Sequence, residues 1–510
     1  MSLSLFQSPV STSQRTKEQP SVSDTTKGGD ETGDVRDEKL GVCKVFKFAY
    51  STILVGFSVA VTLSLILNEQ TKVAQDLSPA VAVVVVVLAI AWLFMIEGGQ
   101  ASMVGLPPVE RELYKESHPI TYKLCSIAHK GNNLDRYLIG RQFMVLLMVF
   151  ATNQCGSAIS GAEVFNLPHW FGDIFLGSSV ALILLTACAG QLMAQVNSSH
   201  CMLDFVDTHF MTVTLYSCLA IEASGLLHCV YLVPYLFALI SGKPIHSNEE
   251  PRTWLQGFFF WIRVLLSLGI LAGCVAVTMS ALFNGQTTSW DAIPNGIAVI
   301  LFILCIYIVG MLEGMQIAFF SVSKLTEEER ASSPMAALTC QVLYSGNNLP
   351  NFMIGRQILV TLNFFVIARL TTLNVDGTDD ETVFGVSKAL QGFFNTGLPG
   401  AVVTTILGSI VWQLVASAYP KTFLGSAFVH ILLRVCLMLE HSGVCAAAWF
   451  FGLLHKKAVG YKYDEYYIGT PEERKAKKKA DLIRQARMRP GRPRPDPSNI
   501  DTTEPDLESA

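Results

Sequence analysis

The sequence has few charged side chains. Asp, Glu, Lys and Arg make up 15% of its 510 residues, whereas soluble proteins carry about a quarter. The shortage is local: residues 1–47 and 456–510 hold 37 of the 78 charged residues, and the 408 residues between them hold 41. A surface this poor in charge is unsuited to water, so the composition excludes a soluble globular enzyme and favours a polytopic membrane protein.

Several motifs of enzymes and pumps are also missing. The 12 cysteines form no CxxC and no zinc-spaced pair with histidine, so no metal site or disulfide framework is predicted. The sequences at 131–133 and 346–348 lack the Lys-Ser/Thr of a phosphate loop, which disfavours ATP-driven pumping. The net charge of −4 gives no reason to expect a nucleic-acid partner. We expect a protein that is not an enzyme, needs no cofactor and draws on an ion gradient.

Ten apolar runs have about the 20 residues that a membrane-crossing helix needs. They lie near 48–68, 79–97, 138–156, 173–194, 210–239, 255–283, 293–315, 352–370, 391–416 and 423–454. The fold class predicted is an all-α polytopic membrane protein with ten transmembrane helices. The predicted parts are a disordered tail (1–47), a five-helix repeat (48–240), a linker (241–254), a second five-helix repeat (255–455) and a basic tail (456–510).

Lys and Arg beside the runs predict the orientation. The first tail has seven, the 101–136 loop has five and the segment after 455 has thirteen. Both tails are therefore expected in the cytoplasm, and the sequon at Asn197 is expected to stay unglycosylated. The basic tail suits the anionic inner leaflet of the membrane, with a solvated tail as the alternative. The sequence leaves open the oligomeric state and the choice between plasma membrane and internal vesicles.

The two halves of the chain repeat each other. Residues 131–142 and 346–357 are identical at eight of twelve positions, and Glu-Gly-x-Gln occurs at 97–100 and at 313–316. Further on, 222–225 resembles 440–443, and Gln191 and Gln413 are taken as matched positions. Because five crossings per repeat is an odd number, the second copy is expected to be inverted in the membrane. Inverted repeats are the plan of many secondary transporters and suit alternating access.

Ionisable residues fall on the repeated motifs, within apolar runs. Such groups are costly in a membrane and usually face a cavity or a partner. The residues expected to serve in coupling or gating are Glu97, Arg141, Glu313, Arg356, Glu222 and Glu440. The alternative is that Glu97–Arg141 and Glu313–Arg356 are buried ion pairs that hold helices together. Glycines beside the glutamates, at 98–99 and 314, are expected to interrupt their helices and free backbone groups for a solute or ion.

Four glutamines in the repeated motifs each follow a glycine by two residues: Gln100, Gln142, Gln316 and Gln357. A primary amide offers donors and an acceptor without charge, so four amides suit a neutral solute with several hydroxyls better than they suit sulfate or phosphate. The alternative is hydrogen bonding between helices, which duplication would copy equally well.

The paired Glu-Gly-x-Gln and Gly-Arg-Gln motifs in a ten-run chain resemble those of the diatom silicic acid transporters. Cys201-Met202-Leu203-Asp204 also resembles a motif of that family. The resemblance implies sodium-coupled uptake of orthosilicic acid, with membrane lipids as surroundings. The substrate-binding residues that it implies are Gly98, Gln100, Gly140, Gln142, Gly314, Gln316, Gly355 and Gln357. The family's C-terminal coiled coil is faint here.

Two other functions stay open on the sequence. One is a sodium- or proton-coupled transporter of boric acid or another small neutral polyol, with His441 beside Glu440 as a proton carrier. The other is a silicic acid sensor that signals through the basic tail. The sodium ligands are not predicted, although Glu97 or Glu313 with backbone carbonyls is the arrangement considered.

Overall fold

The computed structural model describes residues 42–107, 109–159, 161–168, 172–177, 179–241, 252–290, 292–322, 330, 333–375, 382–469 and 473–474. Nearly all of the predicted first tail, and the basic tail after 474, lie outside these ranges. Within them the regular structure is helical, and the β contacts are two isolated bridges. The all-α prediction is confirmed.

The helices of the first half are α1 (Val42–Leu67), α2 (Lys72–Asp76), α3 (Pro79–Gly105), α4 (Pro119–Ala128), α5 (Asn133–Gly156), α6 (Val180–Ser198), α7 (Met202–Val206), α8 (His209–Ala223) and α9 (Leu232–Ser241). Those of the second half are α10 (Trp254–Phe283), α11 (Asn295–Val322), α12 (Pro334–Leu343), α13 (Asn348–Thr371), α14 (Lys388–Asn395), α15 (Leu398–Ala418), α16 (Pro420–Leu424), α17 (Ala427–Ser442), α18 (Ala447–Val459) and α19 (Glu465–Ile468).

Eight helices in the described ranges are long and apolar enough to cross a bilayer. They are α1, α3, α5, α6, α10, α11, α13 and α15. The pairs α8–α9 and α17–α18 pass the same test only jointly, and they bend by 72° and 65°. The long helices start where the sequence signals a start: Ser78, followed by Pro79, caps α3, and Thr253 forms a capping box with Gln256 on α10.

The two halves pack in matching ways. A bridge joins Thr71 to Ala158 in the first half, and its counterpart joins Thr287 to Leu373 in the second. Helix α5 packs on α3 and α8, and helix α13 packs on α11 and α17. Both α6 and α15 contain a π-helical stretch, at Thr186–Leu192 and Thr404–Ile410. The repeat seen in the sequence is therefore also a repeat of contacts.

Three contacts along α6 give the direction of α13. Gln195 donates to Gln357 (3.3 Å), Thr361 donates to Gln191, and Arg369 donates to the carbonyl of Gly177 (2.8 Å) just before α6. As the α13 number rises, the α6 number falls, so the two helices are antiparallel.

Helix α5 is also antiparallel to α6. Its C-terminal end meets the start of α6, where the hydroxyls of Ser157 and Ser179 lie 3.2 Å apart. Helices α5 and α13 therefore run in the same direction, and Gln154 near the end of α5 donates to Thr372 at the end of α13 (3.3 Å). The expected inversion of the second half is wrong, because the two halves have the same orientation about an axis parallel to these helices.

The bent pairs explain how the halves keep one orientation. Helix α17 starts beside α12, where His430 Nδ1 lies 3.3 Å from Thr339 Oγ1, at the end of the molecule that holds the start of α13. Helix α18 finishes with His455 Nδ1 3.1 Å from Asn197 Nδ2, which is at that same end. The pair enters and returns without crossing. Helices α8 and α9 form a similarly bent pair (72°), so the described helices give eight crossings if both pairs return and up to ten if each pair crosses.

The basic residues fit eight crossings better than ten. The four connections at the end opposite the tails, 68–78, 157–179, 284–294 and 372–397, contain two basic residues, Lys72 and Lys388, and nine acidic ones. In the ten-crossing arrangement, six basic residues would lie on the side opposite the tails: Lys72, Lys243, Arg252, Lys324, Arg330 and Lys421. Since basic residues collect on the cytoplasmic side, the charge pattern favours two halves of equal orientation. An even number of crossings keeps the prediction that both tails lie on one side.

Candidate functional site: a polar network between the two halves

Each half contains a buried ion pair built from the repeated motifs. Arg141 Nη2 lies 2.8 Å from Glu97 Oε2, between α5 and α3, and Arg356 Nη1 lies 3.1 Å from Glu313 Oε1, between α13 and α11. The four residues are 3–6% exposed. The pairing weighed on the sequence is thus present, and it neutralises four charges within the apolar helices.

Two of the four predicted glutamines belong to these pairs. Gln142 accepts a hydrogen bond from Arg141 Nη1 (2.9 Å), and Gln357 accepts one from Arg356 Nη2 (2.8 Å). Each arginine thus holds a carboxylate and an amide at once. The Nε atoms of both arginines are buried and have no protein partner within the described residues, so each half retains a donor for water or a solute.

Two further glutamines complete the network, and the sequence reasoning missed one of them. Gln413 donates to Glu313 (2.8 Å), and Gln195 donates to Glu97 (3.3 Å) and to Gln357 (3.3 Å). Gln195 therefore connects the ion pair of the first half to the glutamine of the second.

The predicted match of Gln191 with Gln413 is wrong. The π-helical stretches of α6 and α15 begin at Thr186 and Thr404, which aligns Gln195 with Gln413 and Gln191 with Ser409. Counting from Gly190 and Gly408 gives the same register, so this signal was present in the sequence.

Gln100 and Gln316 lie apart from the network. Both are partly exposed, one turn beyond Glu97 and Glu313, and their side chains make no hydrogen bond among the described residues. Of the four predicted glutamines, Gln142 and Gln357 are therefore hydrogen-bonded to the arginines. The amides of Gln100 and Gln316 remain available to a ligand.

The four predicted glycines serve close packing. A Cβ on Gly140 would lie 1.9 Å from the carbonyl of Cys218, and one on Gly355 would lie 1.8 Å from that of Cys436. Gly98 and Gly314 face the rings of Phe205 and Phe423 at 2.2 and 2.5 Å. The expected helix breaks at 98–99 and 314 are wrong, because α3 and α11 continue through them. The glycines let neighbouring elements approach, and they free no backbone groups.

Glu222 and Glu440 lie near the bends of the two pairs. Glu222 is buried and accepts a hydrogen bond from the Tyr231 hydroxyl (2.7 Å), whereas Glu440 is partly exposed. Glu222 lines a cavity of about 1200 Å³ together with Lys130, Arg252 and Arg263. The part of these two glutamates in coupling or gating stays a prediction.

The Cys-Met-Leu-Asp motif anchors the chain that follows α18. Asp464 accepts the backbone N–H groups of Met202 and Leu203, both at 3.0 Å, and Asp204 accepts that of Lys462 (2.7 Å). Burial raises the pKa of Asp464 to about 6, although the two backbone donors lower it. Cys201 itself is buried. This motif holds the end of the described chain against the tails' side of the molecule.

One of the comparisons with known proteins identifies a family. A family model described as silicon transporter matches residues 39–491, which include every helix above. No curated protein and no solved structure matches the chain. Since the match covers well over half of the sequence, the chain belongs to the silicon transporter family.

Proposed function

We propose that this protein is a secondary transporter that carries orthosilicic acid into the cell together with sodium. The observation that carries the proposal is the pair of buried Glu–Arg–Gln groups, one from each half, which Gln195 joins across the axis. The family match supports silicic acid as the cargo. Sodium as the coupling ion rests on the resemblance and on the lack of a phosphate loop.

The chemistry of the network suits a neutral cargo. Silicic acid carries four hydroxyls and is largely uncharged near neutral pH. The charges of Glu97 and Arg141 neutralise each other, as do those of Glu313 and Arg356. A bound solute would therefore contact amides and paired charges at a site without net charge. The free amides of Gln100 and Gln316 are placed to exchange hydrogen bonds with hydroxyls.

The proposed movement differs from that expected of inverted repeats. Halves of equal orientation, related by an axis along the membrane normal, are also found among transporters, and there the halves rock against each other. Gln195 lies where such rocking would act, because it donates to both halves. We call Gln195 the latch, because we propose that its hydrogen bond to the second half breaks when the two halves move apart.

The coupling ion would act on the carboxylates. Sodium bound near Glu97 or Glu313 would compete with the paired arginine and weaken the latch from one side. In the alternative, proton-coupled mechanism the proton carrier would be His441 beside Glu440.

The test is uptake into proteoliposomes. Silicic acid, or germanic acid as its tracer, should accumulate only with an inward sodium gradient, and Gln100→Ala or Gln316→Ala should abolish the accumulation. Asn68→Ala, an exposed position on the connection after α1, is the matched control. Equal uptake without sodium would overturn the coupling, and stronger uptake of boric acid would change the cargo.

The sensor alternative has its own test. A transporter should keep its flux after residues 475–510 are removed, because these follow the segment anchored by Asp464. A sensor would lose its response and keep its binding. We place the protein in the plasma membrane with both tails in the cytoplasm, and labelling of intact cells would check this.

A further inference from the structure

We propose that the end of the molecule opposite the tails contains a vestibule that binds the neutral, hydroxylated solute before it reaches the network. The vestibule is a cavity of about 350 Å³ between the halves. The residues that line it and are used here are Asn153, Gln154, Ser157, Thr288, Ser289 and Arg369. This inference rests on the proposed transport function.

The vestibule lies on the axis between the halves. Its wall comes from the end of α5 on one side and from the chain around 287–289 and the end of α13 on the other. Gln154 joins the two sides by donating to Thr372 (3.3 Å) and to the carbonyl of Asn395 (3.2 Å). A solute here would touch both halves, so its binding would respond to any movement between them.

The rim of the vestibule is held by fixed contacts. Arg369 donates to the carbonyls of Gly177 (2.8 Å) and Thr288 (3.2 Å), and the Trp290 indole donates to the same Gly177 carbonyl (2.8 Å). The single cation of the lining is therefore engaged with backbone oxygens. These bonds orient the guanidinium toward backbone oxygens, and a neutral solute would leave them in place.

Apart from Ala158 and Ile159, the remaining side chains of the lining are amides and hydroxyls. Asn153 is 5% exposed, and its Oδ1 accepts the hydroxyl of Ser157 (2.7 Å), which leaves its amide N–H groups as donors toward the cavity. The hydroxyl of Ser289 makes no hydrogen bond among the described residues. Apart from Arg369, the polar lining thus offers uncharged donors and acceptors, which a tetrahedral polyhydroxyl solute requires.

The volume and the position of the vestibule agree with a site that the solute occupies before it reaches the network. Liquid water occupies about 30 Å³ per molecule, so the vestibule has room for one silicic acid with part of its water shell. Asn153 and Gln142 are eleven residues apart on α5, which is about 16 Å along a helix. The buried rings of Phe150 on α5 and Phe365 on α13 lie at matched positions between those levels. The vestibule and the network are therefore two separate sites.

The test is protection of an introduced thiol. Ser289→Cys should react with a membrane-impermeant thiol reagent added to intact cells from outside, and saturating silicic acid should slow that reaction at least threefold. The wild-type chain measures the background of its native cysteines. Ser345→Cys, at an exposed position at the opposite end, should stay unlabelled under the same conditions.

Uptake gives a second readout. Asn153→Ala and Ser289→Ala should each raise the KM for silicic acid at least fivefold and leave the maximal rate nearly unchanged, and Asn68→Ala should change neither. Unprotected labelling of Ser289→Cys, or an unchanged KM in both lining variants, would overturn the vestibule. If the wild-type chain transports no silicic acid, the proposed transport fails, but protection of Ser289→Cys still reports on binding here.

Discussion

Removing the Glu313 carboxylate should be more damaging than removing both members of its ion pair. Glu313→Gln would leave the Arg356 guanidinium, which is 4% exposed, without its anionic partner at 3.1 Å. Breaking a buried pair costs about 3–5 kcal/mol, whereas replacing both partners by apolar residues of similar volume is often neutral. Because neither side chain is appreciably exposed, solvent screening does not reduce this figure.

The assay is a double-mutant cycle on the free energy of unfolding in mixed micelles. Glu313→Gln and Arg356→Met should each destabilise the protein, and the double variant should regain much of the loss, with a coupling free energy of about 3 kcal/mol. Glu97 and Arg141 should behave alike, since their geometry matches.

A surface pair provides the control for this cycle. Lys115 and Glu112 approach to 3.1 Å but have 53% and 69% of their side-chain surface exposed, so their coupling should be near zero. A Glu313–Arg356 coupling no larger than that of Lys115–Glu112 would refute the reasoning.

Three further variants test other contacts. Gly140→Ala places a Cβ 1.9 Å from the Cys218 carbonyl and should abolish folded protein on size-exclusion chromatography, whereas Gly56→Ala, which meets nothing within 4 Å, should be tolerated. Gln195→Leu removes two hydrogen bonds, one to Glu97 within the first half and one to Gln357 of the second, and should lower maximal uptake at least tenfold while thermal stability changes little; unchanged uptake would refute the latch. Asp464 has a pKa raised to about 6 by burial, above about 3.9 in an unfolded chain, so docking of the segment around it should weaken as the pH rises from about 4 to 6. Asp464→Asn should remove that pH dependence of hydrogen exchange at 461–468, and an unchanged profile would show that another group titrates.

The sequence predicts a good deal of this molecule. The low charge and the apolar runs predict the all-α membrane fold. The repeated motifs give the ion pairs of Glu97 and Glu313 as the alternative to a coupling role, because charge within an apolar run needs a partner. The role of Gln195 was missed since it belongs to no repeated motif, and only the register of the π-helical stretches aligns it with Gln413.

The orientation of the second half could not be read from hydropathy. An apolar run of 30 residues is compatible with one tilted crossing or with a bent pair that returns, and only contacts such as His455 with Asn197 distinguish them. The glycines show a similar ambiguity: a glycine in an apolar run signals either a break or a close approach. Here the carbonyls of Cys218 and Cys436 lie against Gly140 and Gly355, so these glycines serve close approach.

The orientation of the linker between the halves tests the central claim most directly. Ser247 lies in the connection between α9 and α10, and two halves of equal orientation place that connection on the same side as both tails. Ser247→Cys should therefore be labelled by an impermeant thiol reagent only after the cells are permeabilised. Labelling in intact cells would contradict this arrangement, because it is the result that ten crossings and an inverted second half require.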